Sequence, residues 1–377
     1  MSMNRLIIAG DFFPYDENVS LFENGKIDYL FDERITELFS CSDFSIVNLE
    51  GALTNHDKPQ KKIGPVIKAS PCVVKTIRDM GITAVALANN HVTDYQSQGV
   101  ADTIKTLDEV GIRHLGASSD PEAISHSLSF TLGNKKVCIY NVSETFFNIP
   151  YVHVYDEYAV CNEIKDLKSR NDYLIVIYHG GPERCQYPSP EVRKRFHRMA
   201  DNGADFITAQ HTHCIGCEEI YNGSKLLYGQ GNFLFTRMKQ PSARRGLVVE
   251  LCLENGVFSV RYHLVVVSME GKLQYDSLQD FSDFNNRSEI LKKEGEKVKY
   301  LDYIKSNVKL KEDYLLAFRG DSIERRLLLK ICPQQYKRKL EKEYTQEQYL
   351  RVLLALQSDR TGENVLNMWK NLMENNI

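Results

Sequence analysis

Six apolar runs, each ending abruptly in polar residues, alternate with helix-like segments over the first two-thirds of the chain. The runs read RLIIAG, FSIVNLE, ITAVALANN, VCIYNV, YLIVIYHGG and DFITAQ. Continuous apolar strands that alternate with helices are typical of a sheet covered on both faces. The pattern therefore predicts an α/β fold.

The helix-like segments lie at residues 71–80, 97–111 and 189–202. Residues 247–267 read as two strand-like runs around Asn255-Gly256, which is a favoured two-residue hairpin turn. This part of the chain therefore predicts three helices and a β-hairpin.

The character of the chain changes after about residue 275, where it becomes charged, poor in glycine and helical in period. We therefore predict an α/β domain over residues 1–275 and a helical C-terminal region over residues 276–377. The helical region is either a structural appendage or a surface that binds a partner protein.

Composition restricts the class of protein. The chain has 377 residues, of which 42% are hydrophobic and 26% charged, values of an ordinary globular protein. A net charge of −3 gives no sign of nucleic-acid binding. The first apolar stretch, about five residues long, is too short for a signal peptide or a membrane anchor. Nine cysteines without a disulfide spacing favour a reducing compartment, so we expect a soluble cytoplasmic protein.

Residues 206–217, FITAQHTHCIGC, place His211 and His213 on either side of one threonine directly after an apolar run. In an extended segment, residues i and i+2 point to the same side, so both imidazoles are expected to project together. Two imidazoles begin a metal site, but a metal ion needs three or four ligands. The remaining ligands must come from other parts of the chain.

Residues suited to such a site follow the other apolar runs as well. In open α/β sheets, ligands bind beyond the carboxyl ends of the strands, so these positions are candidates for chemistry. The residues are Asp11, Asn48, Glu50, Asn89, Asn90, His91, His179, His211, His213 and Asn232. Each is a metal-ligand type, an acid or base, or an amide, and together they predict a metal site.

The order of short motifs, GD, NLE, NNHVTD, H, HTH and GN, resembles the bacterial capsule synthesis proteins of the CapA (poly-γ-glutamate capsule, PGA_cap) family. That family is itself similar to the calcineurin-like metallophosphoesterases. The resemblance covers about residues 5 to 270 and is strongest from GADFITAQHTHC to GQGNFLF.

The resemblance implies a four-layer α/β/β/α sandwich, metallophosphoesterase-like, with one or two divalent ions (Mn, Zn or Fe) at the sheet edges. Glu50 would bridge the two ions. One ion would take Asn90, His179 and His211, and the other would take Asp11 and His213. His91 matches the residue that donates a proton to the leaving group. Asn48, Asn89 and Asn232 are expected to support the ligand side chains.

Two positions depart from the pattern that the resemblance implies. Phe13 stands where the DxH motif has its histidine, so the second ion has one ligand fewer and is expected to bind more weakly. Gly180 stands where the family often has a tryptophan after the histidine, and we expect this change to alter substrate packing.

The chemistry of such a site follows from its residues. Two carboxylates against two divalent ions leave a net positive charge, which suits a phosphate or carboxylate substrate. Water held between such ions can ionise near neutral pH and attack phosphorus or a carbonyl. His91 is placed to protonate the departing oxygen. Asp94 either orients His91 or caps the following helix, and both roles are compatible.

Two further groups have open interpretations. Arg184, Arg237, Arg244 and Arg245 either clamp an anionic substrate or belong to solvated basic loops. Cys214 and Cys217 form a CxxC directly after the HTH motif. Because no second CxxC completes a four-thiolate site, we interpret them as incidental thiols.

We therefore expect a metal-dependent hydrolase that serves synthesis of an anionic surface polymer, poly-γ-glutamate or an exopolysaccharide. It would act on a phosphoester or a γ-glutamyl-type bond, and its association with an envelope synthesis complex stays open. One alternative is a non-enzymatic, metal-stabilised protein that binds polymer or assembles a synthase through its C-terminal helices. Another is a cytoplasmic phosphoesterase for a small metabolite.

Overall fold

The computed structural model describes residues 4–15, 18–60, 62, 65–144, 150–236, 240–254 and 256–306. The compact unit that contains both main sheets spans Met1–Tyr303. Most of the predicted helical C-terminal region, residues 307–377, lies outside the described residues.

The strands follow the apolar runs of the sequence. In chain order they are β1 (Asn4–Phe13), β2 (Phe44–Leu49), β3 (Ala52–Leu53), β4 (Lys68–Ala69), β5 (Ala84–Ala86), β6 (Arg113–Leu115), β7 (Ser127–Leu132), β8 (Lys135–Ser143), β9 (Tyr173–His179), β10 (Phe206–Gln210), β11 (Glu218–Tyr221), β12 (Ser224–Leu227), β13 (Asn232–Phe235), β14 (Arg245–Glu254), β15 (Val257–Val267) and β16 (Leu273–Tyr275).

The helices alternate with the strands. They are α1 (Val19–Glu23), α2 (Ile27–Leu30), α3 (Glu33–Ser40), α4 (Val74–Asp79), α5 (Gln96–Glu109), α6 (Glu157–Arg170), α7 (Pro190–Asp201), α8 (Ser282–Glu294) and α9 (Lys297–Ser306). Short 3₁₀ helices lie at Pro71–Val73, Pro121–Ala123 and Pro241–Arg244.

The strands form two main sheets. The first has the order β16-β15-β14-β1-β2-β5-β6, and β13 pairs with the end of β1. Within it β1, β2, β5 and β6 are parallel. The second has the order β11-β12-β10-β9-β8-β7, and β8, β9, β10 and β12 are parallel. Each sheet therefore collects several strand carboxyl ends at one edge.

Three apolar cores separate four layers. Alternate residues of β1 point to opposite faces, so Ile7 packs with α3 to α5 while Leu6 and Ile8 pack against the second sheet. Ile175 and Ile177 of β9 complete this middle core between the sheets. The outer core lies between the second sheet and helices α6 and α7. The architecture is the four-layer α/β/β/α sandwich predicted from the resemblance.

The predicted elements are confirmed over the described residues. All six apolar runs form strands, namely β1, β2, β5, β8, β9 and β10. Segment 71–80 forms a 3₁₀ turn and α4, segment 97–111 forms α5, and segment 189–202 forms α7. The Ser189 hydroxyl caps α7 by accepting from the Val192 amide at 3.2 Å. Antiparallel pairing of β14 with β15 confirms the hairpin, whose Asn255 lies outside the described residues.

Other elements were missed by the sequence analysis. Helices α1 to α3 and α6, and strands β7, β11, β12 and β16, have short or mixed patterns that local periodicity does not separate.

Helix α8 begins beyond the predicted boundary at residue 275, yet Leu291 packs in the outer core and Phe284 in the middle core. Arg287 ties it to the Gly216 carbonyl at 2.9 Å.

Within the described part of the chain, no helix combines the length and apolar character needed to cross a bilayer.

A close backbone approach fixes the end of β1. Gly10 is fully enclosed, and a Cβ added there would overlap the carbonyl oxygen of Gly231 in the segment before β13. The pairing register of β1 shifts here, between Ala9 and Asp11 on the β2 side. A β-bulge of this kind re-aims the following side chain, which is that of Asp11.

We expect Gly10→Ala to lower the free energy of unfolding by about 2 kcal/mol or more, because backbone must move to admit the methyl group. Gly25→Ala is the control, since Gly25 has φ +65° but nothing near its Cβ position. That change should cost about 1 kcal/mol for the left-handed backbone alone. Urea unfolding measures both values, and equal losses would contradict a tight contact at Gly10.

Candidate metal centre

Six residues predicted as metal ligands lie at the meeting edges of the two sheets. The first sheet contributes Asp11 from β1, Glu50 directly after β2, and Asn90 in the turn after β5. The second sheet contributes His179, the last residue of β9, and the histidines of the HTH motif after β10. Carboxylates therefore come from one sheet and imidazoles from the other.

Their ligand atoms form two clusters that share Glu50. Glu50, His179 and His211 make one cluster, and Asp11, Glu50 and His213 make the other, with the ligand atoms of each within 4.8 Å of one another. Glu50 Oε1 lies 3.6 Å from His179 Nε2 and 3.8 Å from His213 Nε2. Asp11 Oδ2 lies 3.2 Å from His213 Nδ1. The structure therefore brings these side chains together in the two groups that the resemblance implied.

The backbone conformation of the HTH histidines differs from the expected one. Strand β10 ends at Gln210, and His211 and His213 have φ values of 84° and 51°, in the left-handed region. The expectation that both imidazoles project from an extended segment is therefore wrong. Each non-glycine residue in this region costs about 1–3 kcal/mol, and such strain collects at functional sites. The two histidines face different clusters because the turn separates them.

Hydrogen bonds hold this strained turn in place. The His211 amide donates to Asp11 Oδ2 at 3.0 Å, and the His213 Nδ1 lies 2.8 Å from Asn232 Oδ1. Asn232 is itself fixed, because its Nδ2 donates to the Ala243 carbonyl at 2.7 Å. The Asn232 contact leaves His213 Nε2 as the nitrogen that faces Glu50.

Glu50 is the electrostatic centre of the site. Its side chain is fully buried, and neither carboxylate oxygen has a hydrogen-bond partner among the described residues. Burial, and then the negative charge of Asp11, raise the pKa of Glu50 well above its usual value, although His213 opposes them. A buried carboxylate without donors costs free energy unless a positive charge lies beside it.

The three histidines differ in charge. Burial lowers the pKa of His179 and of His211 well below the usual value, so both are neutral at neutral pH. Burial also acts to lower the pKa of His213, but Glu50 and Asp11 outweigh it and raise that pKa to about 10. Metal ions bind neutral imidazole, so the first cluster has the imidazole form that a metal requires.

Asparagines connect the ligand residues. Asn48 Nδ2 donates to Asp11 Oδ1 at 2.7 Å and lies 3.1 Å from His179 Nδ1. Asn89 Nδ2 donates to Asn48 Oδ1 at 3.1 Å. His179 Nε2 lies 2.8 Å from Asn90 Oδ1, so this amide oxygen is beside the first cluster. Such contacts fix ring orientation around a site.

His91 lies beside this network and contacts Asp94. Its Nδ1 is 2.6 Å from Asp94 Oδ2, and the same oxygen accepts from the Ile67 amide at 2.7 Å. Burial lowers the pKa of His91 below its usual value, although the contact with Asp94 opposes this shift. Asp94 thus contacts His91 as the orienting role requires, and it makes no cap contact with α5, whose N-cap is Tyr95.

Lys62 is a site residue that sequence reasoning missed. Its buried ammonium pairs with Asp94, donates to the Asn90 carbonyl at 3.0 Å and lies 3.2 Å from His91 Nδ1. No periodicity or motif marks this lysine, which belongs to a charged loop. Lys62 is recognised as a site residue only from its contacts with residues that lie far away in the sequence.

The two departures from the family pattern have structural reasons. Phe13 is fully buried in the apolar core between the first sheet and helices α3 to α5, beside Gly51, where a Cβ would overlap the phenylalanine ring. Gly180 has no room for a side chain, because a Cβ there would lie 2.6 Å from Glu144 Cβ. Glu144 accepts from the Gly181 amide at 2.8 Å and pairs with Arg195 at 2.7 Å. The sequence analysis missed Glu144 and Arg195.

Arg244 and Arg245, two of the predicted substrate arginines, contact residues that do not belong to the clusters. Arg244 Nε donates to the Val267 carbonyl at 2.9 Å, and Arg245 pairs with Asp276 at 2.6 Å. Arg184 has φ 63°, and its amide donates to the Thr212 carbonyl at 2.7 Å. Arg237 lies outside the described residues. Glu183 was also missed by the sequence analysis, and its Oε1 lies 4.0 Å from His211 Nε2.

The CxxC thiols are buried and unbridged. Burial raises the pKa of Cys214 to about 12 and that of Cys217 further. Both therefore remain protonated at neutral pH, where a thiol is a poor nucleophile and a poor metal ligand.

Comparison with solved structures finds distant likenesses. A crystal structure described as a novel phosphatase from Mycoplasma pneumoniae aligns over 75% of this chain and 99% of its own, with 16% identity and a TM-score of 0.46. The NAD nucleotidase (NadN) of Haemophilus influenzae aligns over 87% of this chain and 70% of its own, with 13% identity and a TM-score of 0.44.

Sequence comparison finds nearer relatives. The PGA biosynthesis protein CapA of Bacillus subtilis (strain 168) is 29% identical over 214 residues, which cover 54% of this chain and 56% of the relative. The capsule biosynthesis protein CapA of Bacillus anthracis is 28% identical over 224 residues, which cover 55% and 54%. The chain thus spans about half the length of these relatives. Residues 5–237 match the model of the bacterial capsule synthesis protein PGA_cap, and the chain belongs to this family.

Proposed function

We propose that this protein is a metal-dependent hydrolase that contributes to synthesis of an anionic capsule polymer. The observation that carries the proposal is the Glu50 carboxylate, which is fully buried, has no hydrogen-bond donor in the described structure and lies between two imidazoles. A divalent cation would balance the negative charges of Glu50 and Asp11, which His213 offsets only in part.

The donor set fits such an ion. Glu50, Asn90, His179 and His211 would hold one ion, and Asp11, Glu50 and His213 would hold a second. Mixed imidazole, amide and carboxylate ligands suit Mn, Zn or Fe. When bound, the ion would polarise a substrate oxygen and supply a nucleophilic water at neutral pH.

The residues beside the ligands would handle binding and protons. His91 holds Nδ1 against Asp94, so its Nε2 is the nitrogen available to protonate a leaving oxygen. Lys62 fixes Asp94 and the Asn90 carbonyl, and it adds positive charge beside His91. The bond cleaved would be a phosphoester or a γ-glutamyl-type bond in a polymer precursor. The names of the Bacillus relatives, which refer to PGA and capsule biosynthesis, support the polymer.

A non-enzymatic function is the second candidate. Phe13 leaves the Asp11 cluster with three ligand residues, and a relative from Mycobacterium tuberculosis is described as an accessory protein of polyglutamine synthesis. In this case the metal would stabilise a protein that binds polymer or joins a synthase at the envelope. A cytoplasmic phosphoesterase for a small metabolite is the remaining alternative, and turnover of such a substrate alone would favour it.

We expect purified protein to contain at least about half an equivalent of divalent transition metal per chain, measured by elemental analysis. Glu50→Gln should lower this metal content, because the carboxylate shared by the two Glu50 clusters is lost. In a chelator the variant should unfold at a higher temperature than wild type, because it removes a buried carboxylate that has no hydrogen-bond donor.

The control for this prediction is Glu250→Gln. Glu250 is also buried, but Arg5 pairs with it at 2.5 Å and His263 Nε2 lies 2.9 Å from its other carboxylate oxygen. This variant should keep its metal and lose stability in the chelator. Equal metal content in wild type and Glu50→Gln would remove Glu50 from the ligand set.

Titration of metal-free protein with Mn²⁺ should resolve one tight and one weak site. The tight site is expected at Glu50, Asn90, His179 and His211, and His211→Ala should abolish it. The weak site lacks a fourth protein ligand because Phe13 is apolar. Calorimetry measures both affinities, and two equally tight sites would show that another residue replaces the absent imidazole.

His91→Asn should leave metal content and folding near wild type, because His91 is not a ligand. It should lower kcat by about 100-fold or more on a phosphodiester with a poor leaving group, which needs a proton. A nitrophenyl phosphodiester, whose leaving group needs none, should lose much less. Equal losses on both substrates would exclude the acid role of His91.

A substrate panel separates the enzymatic and non-enzymatic proposals. Metal-loaded wild type is assayed on phosphodiesters, phosphomonoesters and γ-glutamyl peptides. If it turns over none of them while the metal is bound, the non-enzymatic function takes precedence.

A further inference from the structure

A second group of metal-ligand side chains lies away from the Glu50 clusters. His126 precedes β7, His153 precedes α6, and Glu163 lies within α6. Their ligand atoms lie within 4.8 Å of one another. We call this group the His126 cluster, and the proposed hydrolase function makes no use of it.

Both imidazoles approach the same carboxylate oxygen. His126 Nδ1 lies 3.3 Å from Glu163 Oε2, and His153 Nε2 lies 3.5 Å from it. Tetrahedral zinc with bonds of about 2.0–2.1 Å places neighbouring ligand atoms about 3.3 Å apart. The two spacings therefore match those around one small ion.

The buried histidine of the cluster is already oriented as a ligand. His153 Nδ1 donates to the Asn141 carbonyl at 2.8 Å, which leaves Nε2 with a lone pair beside Glu163 Oε2 at 3.5 Å and the Tyr140 hydroxyl at 3.3 Å. Burial lowers the pKa of His153 to about 4, so the ring is neutral at neutral pH. A histidine that donates its other ring hydrogen to a backbone carbonyl is typical of metal sites.

A hydrogen bond also holds the Glu163 carboxylate in place. The Tyr140 hydroxyl donates to Glu163 Oε2 at 2.6 Å. Burial would raise the pKa of Glu163, but hydrogen bonds from His126 and Tyr140 outweigh it and lower that pKa. Glu163 is therefore ionised at neutral pH, with a fixed oxygen between the two rings.

The cluster is also accessible. The side chains of His126 and Glu163 are 39% and 33% exposed, whereas that of His153 is 8% exposed. An ion can therefore enter from solvent and keep water in its open position. The two rings stack 3.9 Å apart and 6° from parallel, so ligation requires the half-exposed His126 ring to rotate.

We propose that the His126 cluster is a separate site for a borderline divalent cation such as Zn²⁺. His126 Nδ1, His153 Nε2 and the Glu163 carboxylate are its ligands, and Tyr140 and Asn141 hold the last two in place. The site joins α6 to the segments before β7 and α6. The His153 segment in turn pairs with the end of β8, since the Ser143 amide donates to the His153 carbonyl at 2.9 Å.

Zinc binding to full-length protein tests the proposal by difference. Wild type, His126→Gln and Glu163→Gln are dialysed against zinc buffered by a chelator, and bound zinc per chain is measured. Both variants should hold about one equivalent less than wild type, because each loses one of three protein ligands. Any zinc at the Glu50 clusters is common to all three proteins, so failure of the hydrolase proposal leaves this comparison intact.

Two further variants distinguish the site from general surface binding. Tyr140→Phe keeps the ring but removes the donor to Glu163, and it should weaken zinc binding by about 10-fold. His114→Gln is the matched control, because His114 faces one carboxylate, Asp108, at 3.3 Å and belongs to no three-ligand group within the described residues. It should bind as much zinc as wild type.

The outcomes separate cleanly. Equal zinc in wild type, His126→Gln and Glu163→Gln, with folding confirmed by circular dichroism, would overturn the proposal and leave a hydrogen-bond network. An equal loss in His114→Gln would overturn it too, because any exposed imidazole would then account for the zinc. Replacing Zn²⁺ with Co²⁺ should give visible absorption bands of four-coordinate metal that are weaker in His126→Gln than in wild type.

Discussion

The Glu50 carboxylate is buried between two sheets without a single hydrogen-bond donor in the described structure, and the surrounding site is arranged about that charge. Asp11 adds a second negative charge from the same sheet, and His213 from the other sheet holds its proton against both. A fold that gains most of its stability from apolar burial tolerates such a group only where it has a use. The proposed cation would give Glu50 such a function, because the carboxylate would be one of its ligands.

Strain in the turn after β10 belongs to the same arrangement. Two cluster residues separated by one threonine, His211 and His213, adopt left-handed backbone that most side chains avoid. Asp11 and Asn232 hold them there through a backbone amide and a ring nitrogen. The bulge at Gly10 and its close approach to Gly231 set the position of Asp11. The turn and the first strand thus fix each other.

Glu163 shows how differently a carboxylate can be treated in the same molecule. It accepts a hydrogen bond from Tyr140, faces two imidazoles and is one-third exposed, so its pKa falls. Glu50 has no donor and is enclosed, so its pKa rises. The ionised form of Glu163 is stabilised without a metal ion, whereas the ionised form of Glu50 is not. Metal occupancy should accordingly matter more to the fold at Glu50.

The sequence by itself determined the strands and the residue types at their ends. Apolar runs are local features, and parallel strands bring their carboxyl ends to one edge, so Asp11, Glu50, His179 and the HTH histidines were predictable as neighbours. The assignment of ligands to two groups came from the family resemblance. Short helices such as α1 and α2 were not predictable, because a few residues carry too little periodicity.

Tertiary structure alone decided the rest, because it depends on contacts between residues far apart in the chain. Lys62 reaches Asp94 across 32 positions, and Glu144 reaches Arg195 across 51. His126, His153 and Glu163 lie in three separate segments without a shared motif. The backbone of the HTH turn also follows from its partners rather than from strand alternation. Local sequence specifies residue type and period, but burial and charge balance arise only when the two sheets pack together.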